Sequence, residues 1–441
     1  MKKTLTLLLL MSALLYTSCF DDGNHQPGPK KYPADVAVKW INLQQKLTKK
    51  TTGFAPVAAR SFAYSGLTLY ESIVPGIPGY QSVLGYMGAP TISPPVNSKY
   101  YHWPASANAA MADIFRNLFA STSVANFATI DSLEAAFNAQ FQGEATAEQL
   151  EKSIAFGKLV AAKIFEWSKT DGAHEGYKPQ PNTYVPPVGP GLWIPTPPAF
   201  APAIGVTQGT FRSFVPGLAD ATQPVTYPIP AYSEVAGSDF HNMVNELYVI
   251  SQSLTAEDVA IVKAWADLPA NYSGPGHHVN IATQLIVLNK LNLDKAAQVY
   301  AKVGIALNDA GISVFKTKYI YNLIRPISYI RNVMGYTTWN TVIATPAHPE
   351  YGSGHAVLSR AASTAMESVF GEHCSFTDYT HEALYGARSY ATLEDYSKEG
   401  AWSRVLGGLH YIITANDGLI QGKKVGDLVN NIPFKKSPGH D

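Results

Sequence analysis

His348-Pro349-Glu350-Tyr351-Gly352-Ser353-Gly354-His355-Ala356 is the stretch on which the reading of this chain turns. Apolar residues recur at helical spacing from Gly354 to Phe370, so the stretch is a glycine-rich turn that opens a helix. Such a turn presents free N–H groups to an anion. Ser353 adds a hydroxyl donor, and Gly354 lets the backbone approach closely. His355 falls in the first turn, where an imidazole serves as acid or base. Taken alone, the pattern is also that of a helix N-cap with a chance histidine.

Two further patterns flank it. Upstream, Lys318 and Arg325 stand seven residues apart, two helical turns, which predicts both cations on one helix face. Lysine brings a compact charge and arginine a planar fork for two oxyanion oxygens. Pro326 is expected to stop or kink that helix. Downstream come Ser403-Arg404 and His410. Arg404 and His410 are six apart, which is not a same-face spacing. Gly407 and Gly408 between them are expected to end or bend the helix and return His410 towards Arg404. Together the patterns predict a pocket for a tetrahedral oxyanion lined by Lys318, Arg325, Ser353, Gly354, His355, Arg404 and His410.

Helical periodicity dominates the rest. It covers 36–49, 56–74, 106–120, 124–141 and 147–169, the last opening on a near capping box at Thr146. It resumes over 239–254, 256–267 (N-cap Thr255), 278–291, 294–311, 313–332, 380–390, 396–411 and 420–430. No run of alternating strands stands out. From about Gly172 to Ser233 the chain is dense in proline, which forbids helix and central strand alike. Tyr184, Trp193, Phe200, Phe211 and Phe214 in that segment argue for an ordered loop wrapped over a core. The predicted architecture is therefore all-α, a helical bundle: an N-terminal helical region over 32–172, a Pro-rich loop over 173–235 and a second helical region over 236–434.

The 441 residues carry a net charge of +0 and are 46% hydrophobic, enough for a large core without a nucleic acid or an anionic bilayer as partner. The first residues read as an export signal over 1–19: Lys2 and Lys3, then an apolar run from Leu5 to Leu15, too short to span a bilayer. Leu15-Tyr16-Thr17-Ser18-Cys19 resembles a bacterial lipobox, which implies lipidation of Cys19. Tyr16 departs from the small aliphatic residue usual there. Residues 20–31 read as a flexible tether. The expectation is an exported protein, lipid-anchored to the outer membrane and facing periplasm or cell surface, touching a membrane through that anchor alone. Cys374 is assigned no role.

The three patterns together resemble the signature of the superfamily that joins type-2 phosphatidic acid phosphatases (PAP2), bacterial class A acid phosphatases and vanadium-dependent haloperoxidases: K-x6-RP, then PSGH, then SR-x5-H-x3-D. Gly352 replaces the proline before Ser353. Thr414 stands where the aspartate four residues after His410 is expected, so the partner of His410 is open: Thr414 itself, a carbonyl or a more distant acid. Leu307-Asn308-Asp309-Ala310-Gly311-Ile312 leading into Phe315, Trp265-Ala266-Asp267, Gly274-Pro275-Gly276-His277-His278, and Gly191-Leu192-Trp193-Ile194-Pro195 resemble segments of vanadium chloroperoxidases and their secreted bacterial relatives. The resemblance makes Asp267 the candidate partner of His355. His277 and His278 are left as pocket lining or buried structural histidines.

Two chemistries follow from the resemblance. In a haloperoxidase, vanadate is the cofactor, His410 coordinates the vanadium, and His355 moves protons while peroxide oxidises a halide. In an acid phosphatase no cofactor is needed: His410 attacks a phosphate ester, and His355 protonates the leaving oxygen and then activates water. Loss of the aspartate after His410 harms a nucleophile more than a metal ligand, which favours the haloperoxidase branch. The substrates are small molecules in both. A non-catalytic anion-binding lipoprotein is the reading from another class.

Overall fold

The computed structural model describes residues 25–51, 55–174, 184–226, 228–267 and 272–437. The expected export signal, Cys19 and the start of the expected tether lie outside them. Helices α1 (Asp35–Thr51), α2 (Ala55–Glu71), α3 (Trp103–Leu118), α4 (Val124–Phe141) and α5 (Ala147–Ser168) form the first half. One short helix, α6 (Leu218–Ala221), interrupts the proline-rich segment. Then come α7 (Asp239–Ser251), α8 (Ala256–Ala264), α9 (Gly274–Leu288), α10 (Leu293–Tyr321), α11 (Pro326–Asn332), α12 (Gly354–Phe370), α13 (Glu382–Tyr385), α14 (Leu393–Leu406) and α15 (Ile412–Asn430). The capping boxes form at Thr146 with Gln149 and at Thr255 with Asp258. Among the described residues the protein is all-α apart from two three-residue strands, β1 (Phe376–Asp378) and β2 (Arg388–Tyr390), paired antiparallel with Phe376 opposite Tyr390. Among the described residues, no helix is long and apolar enough to cross a membrane.

Helix α10 is the axis. The periodicity predicts a break near Gly311, but the helix runs unbroken through it for 29 residues. Packing against α2 on one side and α12 on the other outweighs the cost of one interior glycine, about 1 kcal/mol. Gly66 and Gly304 make the α2 contact close: a Cβ on either would collide with the partner helix backbone. The helix expected over 313–332 is instead cut at Asn322, whose left-handed φ of 47° ends α10. The helix expected over 380–390 shrinks to α13 followed by β2.

A second close seam joins α12 to α15. Gly418, Gly422 and Gly426 lie one turn apart on α15, and a Cβ on any of them would press into Ala356, the Val357 carbonyl or Thr364 of α12. This seam fixes the opening turn of α12 against the start of α15.

The Pro-rich segment wraps as expected where it is described, although Phe200 is exposed. Trp193 is buried and its N–H donates to the Asn322 carbonyl at 2.7 Å; the Ile324 N–H donates to the Gly191 carbonyl at 2.9 Å. The Phe214 and Val215 N–H groups donate to the buried Asp309 carboxylate of α10, each at 2.9 Å. The loop thereby pins the turn between α10 and α11.

Both ends of the described residues return to the body. The tether expected over 20–31 is not loose in its described part: Pro29 is buried and the Gln26 N–H donates to the Lys99 carbonyl at 2.7 Å. At the other end, the Gln81 N–H donates to the Phe434 carbonyl at 3.0 Å, and the Tyr70 hydroxyl of α2 reaches the same oxygen at 3.3 Å.

Candidate functional site: a buried cationic pocket

Four elements converge at the opening turn of α12. Lys318 comes from the last turn of α10, Arg325 from the N-cap of α11, Arg404 from the last turn of α14, and His410 from the link into α15. Lys318 and Arg325 do not share a helix face, although their spacing predicts that they do. The chain reverses at Asn322, Arg325 is extended (φ −76°, ψ 148°), and Pro326 begins the next helix. The turn after α14 does fold back. Gly408 takes a left-handed φ of 74°, and the N–H groups of Leu409 and His410 both donate to the Arg404 carbonyl, at 2.9 and 3.3 Å.

Lys318 is fully buried and places its three N–H donors on carbonyls of the loop before Ser353: Pro349 (3.0 Å), Glu350 (3.0 Å) and Gly352 (2.5 Å). Arg325, also fully buried, donates to the carbonyls of His348 and Leu409, to His348 Nδ1 and to His410 Nε2 at 3.2 Å. These two cations therefore clamp the loops that carry Ser353 and His410, and they act on the pocket through their charge. Burial, then mutual repulsion, holds Lys318 well below the usual lysine range; burial lowers Arg325 and Arg404 to about 10.

The carboxylate missing after His410 comes from Glu350. His410 Nδ1 lies 2.8 Å from Glu350 Oε1, and the Tyr411 N–H (3.1 Å) and Thr414 hydroxyl (2.6 Å) donate to the same oxygen. Thr414 thus occupies the expected aspartate position and orients the acid that replaced it. With Nδ1–H given to Glu350, His410 Nε2 keeps its lone pair, on which the Arg325 guanidinium donates. Burial pushes the Glu350 carboxyl up to about 7 against the pull of Thr414 and the cations. Burial, then Arg325 and Lys318, keep His410 well below the usual histidine range. Glu350 stood in the motif without a role, because no spacing rule links it to His410. A lone acid three residues before a glycine-rich, cation-flanked turn was the available signal.

Four buried polar atoms of these residues have no partner: the donors Ser353 Oγ, His355 Nε2 and Arg404 Nε, and the second carboxylate oxygen of Glu350, Oε2. Ser353 is the N-cap of α12 yet makes no capping bond. A Cβ on Gly354 would meet no atom within 4 Å, so space lies open beside it. Burial, then Arg404, hold His355 well below the usual histidine range. Asp267 does not pair with His355. Its Oδ1 is taken by His277 Nδ1 at 2.9 Å and His381 Nε2 at 3.0 Å. His278 is buried beside that cluster, 3.4 Å from the Tyr396 hydroxyl. Phe315 packs its ring edge-on to His348 at 5.3 Å and also lines a cleft of about 640 Å³ under the wrapping loop, bordered by Phe211, Arg212 and Tyr319.

Three buried cations face one carboxylate, so the pocket lacks negative charge. Its unpartnered donors match an oxyanion with several oxygens. A vanadate or phosphate group fits this donor set: Arg404 Nε, the Ser353 hydroxyl and the first-turn N–H groups of α12 for the oxygens, and His410 Nε2 for the central atom.

Comparison with known proteins agrees. Residues 298–435 match the family described as the VCPO second helical-bundle domain. A bacterial vanadium-dependent iodoperoxidase superposes with a TM-score of 0.82 at 29% identity, covering 93% of this chain and 99% of that one. The apo and holo forms of a bacterial vanadium-dependent chloroperoxidase share the fold at 17% identity, with TM-scores of 0.65 and 0.63 over 87% and 88% of this chain and 95% of theirs. No curated protein matches the sequence. These likenesses give the chain the helical fold of the bacterial vanadium-dependent haloperoxidases, and its residues 298–435 resemble the VCPO second helical-bundle domain.

Proposed function

We propose that this protein is a vanadium-dependent haloperoxidase that oxidises halide with hydrogen peroxide, iodide being the first halide to test. The observation that carries the reading is the set of unpartnered buried donors, Ser353 Oγ, His355 Nε2 and Arg404 Nε, around an anchored His410. The near full-length likeness to an iodoperoxidase supports the choice of branch and of halide. The argument from a lost carboxylate does not, since Glu350 supplies one to His410.

Bound vanadate supplies a Lewis acid that activates peroxide without changing its oxidation state. The chain does the rest. Glu350 holds the His410 ring in the tautomer whose Nε2 can bind a metal. Lys318 and Arg325 keep two loops in register and hold positive potential over the pocket. Arg404 Nε, the Ser353 hydroxyl and the α12 N–H groups neutralise oxygens. His355, kept neutral by burial and then by Arg404, takes and returns protons at Nε2. Halide, peroxide and one proton give hypohalous acid and water.

The test is one preparation assayed twice. Peroxide-dependent oxidation of iodide, bromide and chloride is measured after loading with orthovanadate, and phosphate-ester hydrolysis without it. Halide oxidation that requires vanadate is the expected result. Hydrolysis that vanadate inhibits, with no halide oxidation, would make the protein a phosphatase; neither activity would leave an anion-binding protein. Export and lipid attachment at Cys19 belong to the same proposal, and a Cys19→Ser variant released from the membrane fraction is the outcome it expects.

A further inference from the structure

A second histidine–carboxylate cluster lies near the pocket. Asp267 follows α8, His277 sits in the first turn of α9, and His381 precedes α13. Their ligand-type atoms all lie within 4.8 Å of one another, and all three side chains are at least nine-tenths buried. Both imidazoles turn a nitrogen to the same oxygen, Asp267 Oδ1, while the buried Oδ2 has no partner. The other ring nitrogen of His277 is 2.8 Å from Asp378 Oδ2. Asp378 is itself held through Oδ1 by the Thr380 N–H (2.9 Å), the Thr380 hydroxyl and Gln284 Nε2 (3.0 Å).

We propose that Asp267, His277 and His381 bind a divalent first-row transition ion of the zinc type, with water completing the coordination. Two imidazoles and a carboxylate are the ligand types such an ion takes. Zinc bonds of about 2.0–2.1 Å put donors roughly 3.4 Å apart, so contacts now at 2.9 and 3.0 Å need open by only a few tenths. The Asp378–His277 pair supplies the outer carboxylate that fixes the tautomer of a metal-bound histidine. The charges balance as well. Without an ion, protons on His277 Nδ1 and His381 Nε2 hold the cluster together. One divalent cation takes the place of both protons: the Nδ1 proton of His277, whose Nε2–H stays on Asp378, leaves to solvent, and His381 binds through Nε2 with its remaining proton on Nδ1. Oδ2 of Asp267, stranded in the protonic arrangement, is then offset by the ion or its water. This inference does not depend on the reading of the oxyanion pocket.

The full-length protein, stripped with chelator and vanadate-free, is titrated with zinc alone, and zinc and vanadium are then counted separately by mass spectrometry after loading with each. One zinc per chain is expected, with a rise in Tm that grows with zinc concentration. Asp378→Asn should weaken zinc roughly 10–100-fold, and His381→Ala should weaken it more, with vanadium content retained. His410→Ala should do the reverse. Cobalt(II) added to the wild-type protein needs no variant to fold: strong visible d–d bands of a four- or five-coordinate N/O site are expected. A pale six-coordinate spectrum, no stoichiometric zinc in the wild type, or zinc held equally by folded His381→Ala and Asp267→Asn variants would overturn the proposal.

Discussion

The pocket around His410 and the cluster around His277 use the same pair, a buried imidazole on a buried carboxylate, in opposite electrostatic settings. In the first, Lys318, Arg325 and Arg404 outnumber Glu350. In the second, Asp267 and Asp378 close on His277 from both sides. The titrations diverge accordingly. His410 is driven well below the usual range by burial and by the cations. His277 is raised to about 10, because its two carboxylates outweigh the burial that opposes them. Arg404 feels both regions and stands between their charges. Residue type alone therefore does not say what a buried histidine binds; the sign of the surrounding charge does.

That contrast can be broken at its strongest point first. His410→Ala removes the atom that would hold vanadium, and halide oxidation should fall to the level of protein without vanadate. Steady-state assays across vanadate concentrations would detect any survival. Glu350→Gln keeps the shape but not the charge on His410; vanadate affinity should drop roughly 10–100-fold. Adding Thr414→Asp to that variant should restore part of the loss by returning a carboxylate to the familiar position. No recovery in the double variant would mean that Glu350 does something other than hold His410. Thr414→Asp alone sets two carboxylates on one oxygen-lined site, so one of them should stay protonated at neutral pH, which titration followed by infrared spectroscopy would reveal. In the second cluster, Asp378→Asn should cost about 1–3 kcal/mol of stability in denaturant unfolding, and more once zinc is present, because the wild type then gains more from the ion than the variant does. Smallest for charge but informative for geometry, Gly422→Ala overpacks the α12–α15 seam and should cost about 1–3 kcal/mol while leaving both charge patterns in place.

Most of the helices were legible, because apolar spacing reports a buried face directly. The first half follows its periodicity closely. The errors lie where packing decides: α10 runs through Gly311 because neighbours bury it on both sides, and 380–390 yields to β2 because Tyr390 pairs with Phe376. The pocket was legible as a set of residue types but not as a division of work. Spacing put Lys318 and Arg325 on one face, whereas the Asn322 turn brings them together from different helices. Sequence could name an acid missing at Thr414 but not its replacement at Glu350, since that contact spans 60 residues and rests on how two loops meet. Asp267 was matched to the wrong histidine for the same reason: His277 is ten residues away in the chain, and His381 arrives from beyond α12.

The return of Phe434 to Tyr70 sets an order of events during synthesis. The two residues are 364 positions apart. At about 5–20 residues per second, α2 emerges roughly 20–70 s before the segment that covers it. For that interval the first helices have an apolar flank that the tail does not yet cover.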